Sequence, residues 1–316
     1  MGNFFKSLFS SGGAESPEEE QQKTDQKNFD ILKYDGIRAL RINQAPYAIK
    51  CFIEALKLKE DSEVLAQLIN AYASRHEAEE ALEIAQRLVA LEPENLAALL
   101  TRASIYHQLE REDEALADCM SLLETDASNP AIHLLLGRIK KALKDWPGAE
   151  TDLTQAITLK GDLADAYLLR AEVLLEQNKL EEARQDIDVL IELAPEEEAT
   201  YLLSGRIYEK AGDMEAATTE YNKVFEMNPF NEEAVILITH LLVNNGQLDE
   251  ALTLLDEELE INSDFIAAYT ERAKIKRLKG DIEGAVEDEQ QAAELQPEAE
   301  DNPKVAPPAE VVPGLL

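Results

Sequence analysis

The sequence predicts an all-α fold, a right-handed α-solenoid of about eight helix-turn-helix repeats with disordered termini. Alanine recurs every 34 residues from Ala81 to Ala285, and Ala48 continues the series at a spacing of 33. Glycine occupies one fixed place in the last three repeats, between two helical segments, and proline falls where a helical hairpin tolerates it. The intermediate members of the series are Ala115, Ala149, Ala183, Ala217 and Ala251. Such a spacing indicates stacked copies of one helical hairpin.

The period divides the chain into three parts. Residues 1–28 are predicted to be a disordered segment with a short amphipathic start, 29–299 the repeat array, and 300–316 a proline-rich disordered tail. The eight repeats are assigned to residues 29–61, 62–95, 96–129, 130–163, 164–197, 198–231, 232–265 and 266–299. Counted from the first residue of each repeat, the first helix covers about positions 1–14 and the second about positions 17–31.

The sixth repeat shows how one hairpin is built. Gly205 leaves space between the two helices, and Ala217 is the small residue expected to meet it from the second helix. Gly212 breaks the chain between the helices at position 15, and Asp213 is expected to cap the second helix. Pro229 ends that helix. The same turn position holds Gly246 and Gly280 in the two repeats that follow.

The N-terminal segment has an apolar pattern of its own. Its aromatic and leucine side chains form two pairs spaced by four residues, which are Phe4 with Leu8 and Phe5 with Phe9. Two interpretations remain open, a terminus that frays or caps the first repeat, and an anchor to a membrane surface or a partner. No apolar run in the sequence is long enough to cross a bilayer.

Charge and cysteine content limit the classes of function and the cellular compartment that the sequence allows. The chain carries 64 acidic and 30 basic residues, a formal net charge of -34, which repels nucleic-acid phosphates and is typical of a soluble cytosolic protein. Cys51 and Cys119 lie two repeats apart, too far for a disulfide, and are predicted to be buried small hydrophobes. This cysteine content is compatible with a reducing compartment. We expect a cytoplasmic protein of bacterial origin.

Motifs for catalysis and cofactors do not occur in the sequence. Glycine-rich nucleotide loops, paired-cysteine motifs and zinc-binding histidine motifs are missing, and the four histidines fall in four different repeats. Acidic pairs recur near the starts of second helices, where a carboxylate stabilises the helix dipole. We therefore predict no enzymatic activity, no catalytic residues, no metal site and no cofactor.

The repeat resembles a known family at most of its defining positions. In the sixth repeat these positions hold Tyr201, Gly205, Tyr208, Ala217, Tyr221 and Pro229. They match positions 4, 8, 11, 20, 24 and 32 of the tetratricopeptide repeat, a family of 34-residue helical hairpins. The resemblance covers residues 29–299 and implies a protein–protein interaction scaffold or adaptor that binds peptide segments in a concave groove lined by first helices.

Some residues depart from the family pattern. Arginine replaces the commoner leucine at position 7, at Arg102, Arg170 and Arg272, and we expect the stems to pack while the charged heads point outward. Glu258 and Glu289 occupy positions that are normally packed. Both belong to the last two repeats, where the end of an array tolerates polar side chains.

Groove positions of the family define the candidate site. Position 5 forms an apolar ladder through five repeats, at Leu100, Leu134, Leu168, Leu202 and Ile236. Position 9 adds basic side chains and a histidine, at Arg138, Arg206, His240 and Lys274. Glu172 and Glu209 interrupt this group and are expected to pair with Arg138, Arg206 or Lys210. The alternative, that the ladder only seals one first helix against the next, remains open.

We therefore predict a non-enzymatic scaffold or adaptor whose partners are other proteins or peptide segments, and not nucleic acid. Two alternatives of other classes remain, a membrane-surface tether that uses the N-terminal amphipathic segment, and an accessory subunit of an enzyme complex. Fold alone does not distinguish them.

Overall fold

The computed structural model describes residues 16–296, and within that range it contains sixteen α-helices and no strand. In chain order the helices are α1 (Pro17–Arg41), α2 (Ala45–Leu58), α3 (Ser62–Ala73), α4 (Ala78–Leu91), α5 (Leu96–Gln108), α6 (Glu112–Thr125), α7 (Pro130–Ala142), α8 (Trp146–Leu159), α9 (Ala164–Glu176), α10 (Leu180–Leu193), α11 (Glu198–Ala211), α12 (Met214–Met227), α13 (Glu232–Asn244), α14 (Leu248–Ile261), α15 (Ile266–Lys279) and α16 (Ile282–Leu295). Two helices fall in each predicted repeat, which confirms the all-α fold class.

The described residues form two compact units. The N-terminal unit extends to Lys179 and contains α1 to α9, and the C-terminal unit begins at Leu180 and contains α10 to α16. Within each unit every helix packs against the next one along the chain. The division lies inside the fifth predicted repeat, and the alanine period gives no sign of it.

Each unit has its own apolar interior. The core of the N-terminal unit includes Phe52, Leu68 and Leu122, and that of the C-terminal unit includes Tyr221 and Phe265. The alanines of the 34-residue series are all buried, with at most 1% of their surface exposed. Their small side chains therefore let the helices approach closely, as the period predicts.

The glycines at position 8 make room for a large side chain, not for a small one. A Cβ atom on Gly205 would lie 2.1 Å from Cε1 of Tyr221, so the residue nearest to Gly205 is Tyr221, not Ala217 as we expected. In the N-terminal unit Gly36 meets the ring of Phe52 in the same way. Gly137 and Leu153 repeat the arrangement. Positions 8 and 24 of one hairpin thus share a fixed volume.

The turn between the helices of a hairpin is left-handed in every repeat. Gly212, Gly246 and Gly280 have φ angles of 84°, 78° and 85°, as the turn prediction requires. The other five repeats adopt the same conformation without glycine, with φ between 57° and 60°. These residues are Asn43, His76, Glu110, Lys144 and Asn178. Asp213 caps α12 as predicted, because its side chain accepts a hydrogen bond from the Ala216 amide at 3.0 Å.

The first helix begins ahead of the predicted boundary. Residues 17–28 were predicted to be disordered, but they form the first turns of α1. The Ser16 hydroxyl accepts from the Glu19 amide and the Glu19 carboxylate accepts from the Ser16 amide, a capping box that starts the helix. Pro17 then occupies the first helical position, where its missing N–H costs nothing. The Phe4, Phe5, Leu8 and Phe9 pattern and the tail after residue 296 lie outside the described residues.

At position 7, Arg102 and Arg272 turn inward, although their charged heads were expected to point outward. The Arg102 guanidinium donates two hydrogen bonds to Asp118 on the second helix of the same hairpin, at 2.7 and 2.8 Å. Arg272 binds Asp288 in the same way, at 2.6 and 3.0 Å. Each arginine reaches a mostly buried carboxylate sixteen residues along the chain, which attracts the charged head away from solvent. Arg170 donates to the Thr154 hydroxyl at 3.0 Å.

The two unusual glutamates have different surroundings. Glu289 is half exposed and accepts a bidentate hydrogen bond from Arg277. This exposure agrees with the expectation that the end of the array tolerates a polar side chain. Glu258 is only 5% exposed, because α14 is followed and packed by α15. Burial, and then the neighbouring Glu257, raise the pKa of Glu258. The expectation that an unpacked end tolerates Glu258 is therefore wrong.

Both cysteines are free and buried, as predicted. Burial raises the pKa of the Cys119 thiol to about 12, and the nearby carboxylates of Asp118 and Asp152 act in the same direction. No helix in the described part of the chain combines the length and the apolar character needed to cross a membrane.

Candidate partner-binding surface

The position-5 ladder lies on first helices in both units, and each side chain is partly covered. In the N-terminal unit Leu100, Leu134 and Leu168 are half-buried, and the first two pack against the cores beneath them. In the C-terminal unit Leu202 is 8% exposed and Ile236 is half-buried against its core. These side chains thus pack between neighbouring helices and still expose part of their surface. Their role in binding remains a prediction.

Basic side chains of the N-terminal unit bind acids of the next repeat. Arg138 donates to Asp165 at 2.7 Å, and Lys141 forms a short ion pair with Glu172. Glu172 was expected to pair with Arg138 or Arg206, but Lys141 lies closer to it. Asp165 stands in the first turn of α9, where the positive end of the helix dipole favours an acid within reach of Arg138.

In the C-terminal unit Arg206 and His240 show the same arrangement, whereas Lys274 pairs within its own helix. Arg206 forms a short ion pair with Glu233, in the first turn of α13. Glu271 pairs with Lys274 at 2.7 Å and with the His240 ring nitrogen Nε2 at 3.4 Å. The bases of the candidate site are therefore already paired, and an acidic ligand would share them with these carboxylates.

Glu209 also departs from its predicted role. Its carboxylate accepts a hydrogen bond from the Tyr221 hydroxyl at 3.1 Å, in place of the expected pairing with a base. Burial and this carboxylate raise the pKa of Tyr221, so the phenol remains a donor. The bond adds a polar contact to the Gly205–Tyr221 packing within the sixth hairpin.

A cavity of about 390 Å³ opens in the N-terminal unit, next to the predicted site. Its wall combines basic, aromatic and aliphatic side chains from α5, α7, α8, α9 and the turn after α7. The lining residues are His107, Arg138, Lys141, Ala142, Lys144, Trp146 and Leu169. Of these the sequence analysis named only Arg138 as a site residue. Lys144 lies in a turn and Trp146 at a helix start, and folding brings both next to the groove. Neither is a groove position of the repeat, so the sequence pattern does not predict them as site residues.

A second cavity, of about 360 Å³, lies between α3 and α5 of the same unit. Alanine at position 5, Ala66, replaces the leucine of the ladder here and leaves the space open. Its charged lining residues are the carboxylates of Glu63 and Glu92. Hydrogen bonds from Ser62 and Asn95 lower the pKa of Glu92, which keeps that carboxylate ionised.

Family models described as tetratricopeptide repeat match residues 66–130, 134–198 and 208–275, which together are more than half of the chain. The chain is a tetratricopeptide repeat protein. Repeats of this family generally mediate protein–protein interactions, and its members are typically scaffolds. No curated protein matches the sequence.

Solved structures with the same fold include other tetratricopeptide repeat proteins. One from Parabacteroides merdae has a TM-score of 0.59 and 19% identity, over 74% of this chain and 93% of its own. PilF of Pseudomonas aeruginosa has a TM-score of 0.55 and 18% identity, over 67% of this chain and 96% of its own. PilW, a type IV pilus biogenesis factor, has a TM-score of 0.60 and 15% identity, over 66% of this chain and 98% of its own. At these identities the likeness shows the fold alone.

Proposed function

We propose that this tetratricopeptide repeat protein is a non-enzymatic scaffold or adaptor that binds peptide segments of other proteins on its first helices. The observation that carries the proposal is the row of half-buried apolar side chains on successive first helices, beside basic groups. In the N-terminal unit this row is Leu100, Leu134 and Leu168 with Arg138. A partly exposed apolar row with polar neighbours matches the way peptide-binding grooves supply both affinity and orientation.

The proposed ligand is an extended or helical peptide with apolar anchors and some acidic residues. Arg138 and Arg206 each use one terminal nitrogen for their ion pairs, and a guanidinium carries five N–H donors. The remaining donors favour a carboxylate over a neutral acceptor. At physiological salt the repulsion from a net charge of -34 is screened beyond about 8 Å, so local contacts decide binding.

In this role the protein acts in the cytoplasm of a bacterium, with other proteins as partners and without nucleic acid or cofactors. Two free, buried cysteines support a reducing compartment. The excess of acidic residues opposes contact with phosphate backbones.

Selection of displayed random peptides on the full chain tests this function. Selected peptides would be synthesised with a fluorophore, and their binding measured by anisotropy. We expect Leu168→Glu to weaken binding at least about tenfold, which corresponds to about 1.4 kcal/mol, with unchanged helicity by circular dichroism. Arg138→Glu, in the same unit, should weaken it by about 1–3 kcal/mol.

Met120→Glu is the matched control, because Met120 is a 59% exposed apolar residue on a second helix of the same unit. It should bind the selected peptides like the wild type. Equal binding by wild type, Leu168→Glu and Arg138→Glu would exclude the first-helix surface of the N-terminal unit as the site.

A further inference from the structure

We propose that the cavity lined by Lys144 and Trp146 is the anchoring pocket of this surface, and that it takes a peptide segment in which a carboxylate neighbours an apolar or aromatic side chain. The inference rests on the proposed function and names the ligand chemistry of one site within it. The cavity, of about 390 Å³, lies in the size range of small-ligand pockets.

The charge of the lining is the first argument. The four charged or titratable lining residues are His107, Arg138, Lys141 and Lys144, and no carboxylate lines the cavity. The whole chain has more than twice as many acids as bases, so this grouping departs sharply from its composition. Three of these four side chains pair with acids that stand outside the lining: His107 with Glu112, Arg138 with Asp165 and Lys141 with Glu172. A ligand carboxylate inside the cavity would therefore face donors on several sides.

The basic side chains that line the cavity keep N–H donors that their partners within the protein do not use. Arg138 binds Asp165 through one nitrogen only, and that aspartate is 67% exposed, so the pair is weak and easily shared. Lys141 has one ion pair and three N–H donors. Lys144 is exposed and has no ion pair with any residue between 16 and 296. An incoming carboxylate can thus be bound without leaving an internal charge buried and unpaired.

The apolar wall is the second argument. Trp146 is half-buried and packs with Leu134 and Leu169 against the core. It stands at the first position of α8, directly after Asp145, whose side chain accepts from the Gly148 amide at 3.1 Å and fixes the start of the helix. An indole held on a rigid helix offers a large flat surface at little entropic cost. The pocket therefore accepts an apolar or aromatic side chain next to the carboxylate.

The cavity between α3 and α5 supplies an internal contrast. Its charged lining residues are Glu63 and Glu92, and Glu92 is held ionised. An acidic side chain is disfavoured there and favoured beside Lys144. A peptide bound along the first helices of the N-terminal unit would therefore have one orientation, with its acidic residue at the α7–α9 end.

The chain contains one tryptophan, so Trp146 reports occupancy of the pocket directly. Random twelve-residue peptides displayed on phage would be selected in parallel on wild-type protein and on Lys144→Glu. We expect wild-type selections to be enriched in Asp or Glu beside Phe, Leu or Trp, and selections on Lys144→Glu to lose the acidic enrichment. Synthetic copies without tryptophan should shift the emission of Trp146 on binding, at 0.15 M salt.

Matched variants complete the test. Lys144→Glu should weaken the acidic peptides at least tenfold, and Lys144→Asn, which suits the left-handed turn, should weaken them less. Lys160→Glu makes the same charge change at an exposed site of the same unit outside the lining, and should leave affinity unchanged. Peptides in which Asn and Gln replace Asp and Glu should bind at least tenfold more weakly.

The outcomes separate the pocket from the general function. If peptides depend on Leu168 but lack acidic enrichment, leave Trp146 emission unchanged, or bind Lys144→Glu like wild type, the pocket assignment is wrong and the scaffold function stands. Enrichment of Lys or Arg would also overturn the pocket assignment. If selection on the wild type recovers no peptide that binds in solution, both proposals fail.

Discussion

At the scale of single residues, position 15 of the hairpin imposes one backbone conformation on unlike side chains. Three repeats have glycine at this position, and glycine adopts a positive φ without steric cost. Glu110 and Lys144 adopt the same angles although their Cβ atoms oppose them, at roughly 1–2 kcal/mol per residue. The stacking of the two helices on either side therefore determines the turn, and the residue in it adapts.

Replacement of Glu110 by glycine should stabilise the protein. The left-handed strain disappears, while the unfolded chain gains entropy, so we expect a net gain of about 1 kcal/mol in the free energy of unfolding. Gly246→Ala is the converse, since a Cβ there meets no atom within 4 Å and only the φ angle opposes it. It should lose about 1 kcal/mol. Urea denaturation monitored by circular dichroism measures both, and a loss of stability in Glu110→Gly would contradict the argument.

Glu258 should make stability depend on pH in a defined direction. Its pKa is raised in the folded state by burial, so the folded protein holds this proton to higher pH than the unfolded chain does. As pH rises above about 4.3, the ordinary glutamate value, the unfolded state ionises first and stability falls. The fall ends once the raised folded pKa has been passed.

Glu258→Gln should therefore be more stable than the wild type at pH 7, with the difference shrinking towards pH 4. Denaturant melts from pH 4 to pH 8 measure the difference. Glu260→Gln, at an exposed site of the same helix, is the control and should show a flat difference. A destabilised Glu258→Gln at neutral pH would show that the carboxylate has a partner in solution that offsets its burial.

At the scale of elements, ion pairs across the hairpin join its two helices. Asp288 on α16 has 4% of its side chain exposed and binds both Arg272 and Lys276 of α15. Arg102 and Asp118 join α5 to α6 in the same way. A buried carboxylate with such partners contributes little net stability when intact, but its removal leaves charges buried and unpaired.

Asp288→Asn should accordingly lose about 3 kcal/mol, within the range observed when one partner of a buried pair is removed. Asp249→Asn removes a carboxylate that pairs with Lys279 but is 84% exposed, and should lose less than about 1 kcal/mol. Thermal and urea melts of the two variants should differ accordingly. Equal losses would mean that the Asp288 pair is as well solvated as the surface pair.

The sequence predicts the helices far better than it predicts which polar side chains contact each other. Periodicity identifies which residues face inward, so the buried alanines, the turn glycines and the Asp213 cap follow from spacing alone. The inward turn of Arg102 and Arg272 was missed, although arginine at position 7 with aspartate at position 23 recurs as a sequence signal. The start of α1 was missed because its polar composition outweighed the Ser16–Glu19 capping signature.

The candidate site was predictable only in part. Groove positions of the family predict a role for Arg138 and the leucine ladder, but the acids that pair with Arg138, Arg206 and His240 belong to the following repeat. Their proximity depends on how successive hairpins stack, which a single-repeat pattern does not describe. Lys144 and Trp146 lie in a turn and at a helix start, and only the folded chain brings them beside α9.

At the scale of the whole molecule, the charge balance opposes folding. A net charge of -34 makes the compact state self-repulsive, and salt weakens that repulsion over distances beyond about 8 Å at 0.15 M. The exposed ion pairs, such as Arg138 with Asp165, are weakened by salt as well but contribute little at the outset. Relief of repulsion should therefore dominate.

The melting temperature should rise as NaCl increases from 10 to 300 mM. We expect an increase of a few degrees, corresponding to roughly 1 kcal/mol. We choose NaCl because sulfate also stabilises proteins through its exclusion from their surface. A parallel titration with sucrose measures that kind of stabilisation in the absence of charge screening. A fall in melting temperature would indicate that surface ion pairs outweigh the excess of like charges.

The shared volume of positions 8 and 24 affects how such a protein can lengthen over generations. Gly205 with Tyr221, and Gly137 with Leu153, each lie within one hairpin, so the gene segment for a hairpin encodes both complementary partners. Duplication of a whole hairpin copies a matched pair, whereas exchange of one helix between repeats would set a ring against a side chain already filling the space. The complete hairpin is therefore the unit that can be duplicated without a clash, and exchange of a single helix between repeats should cost stability.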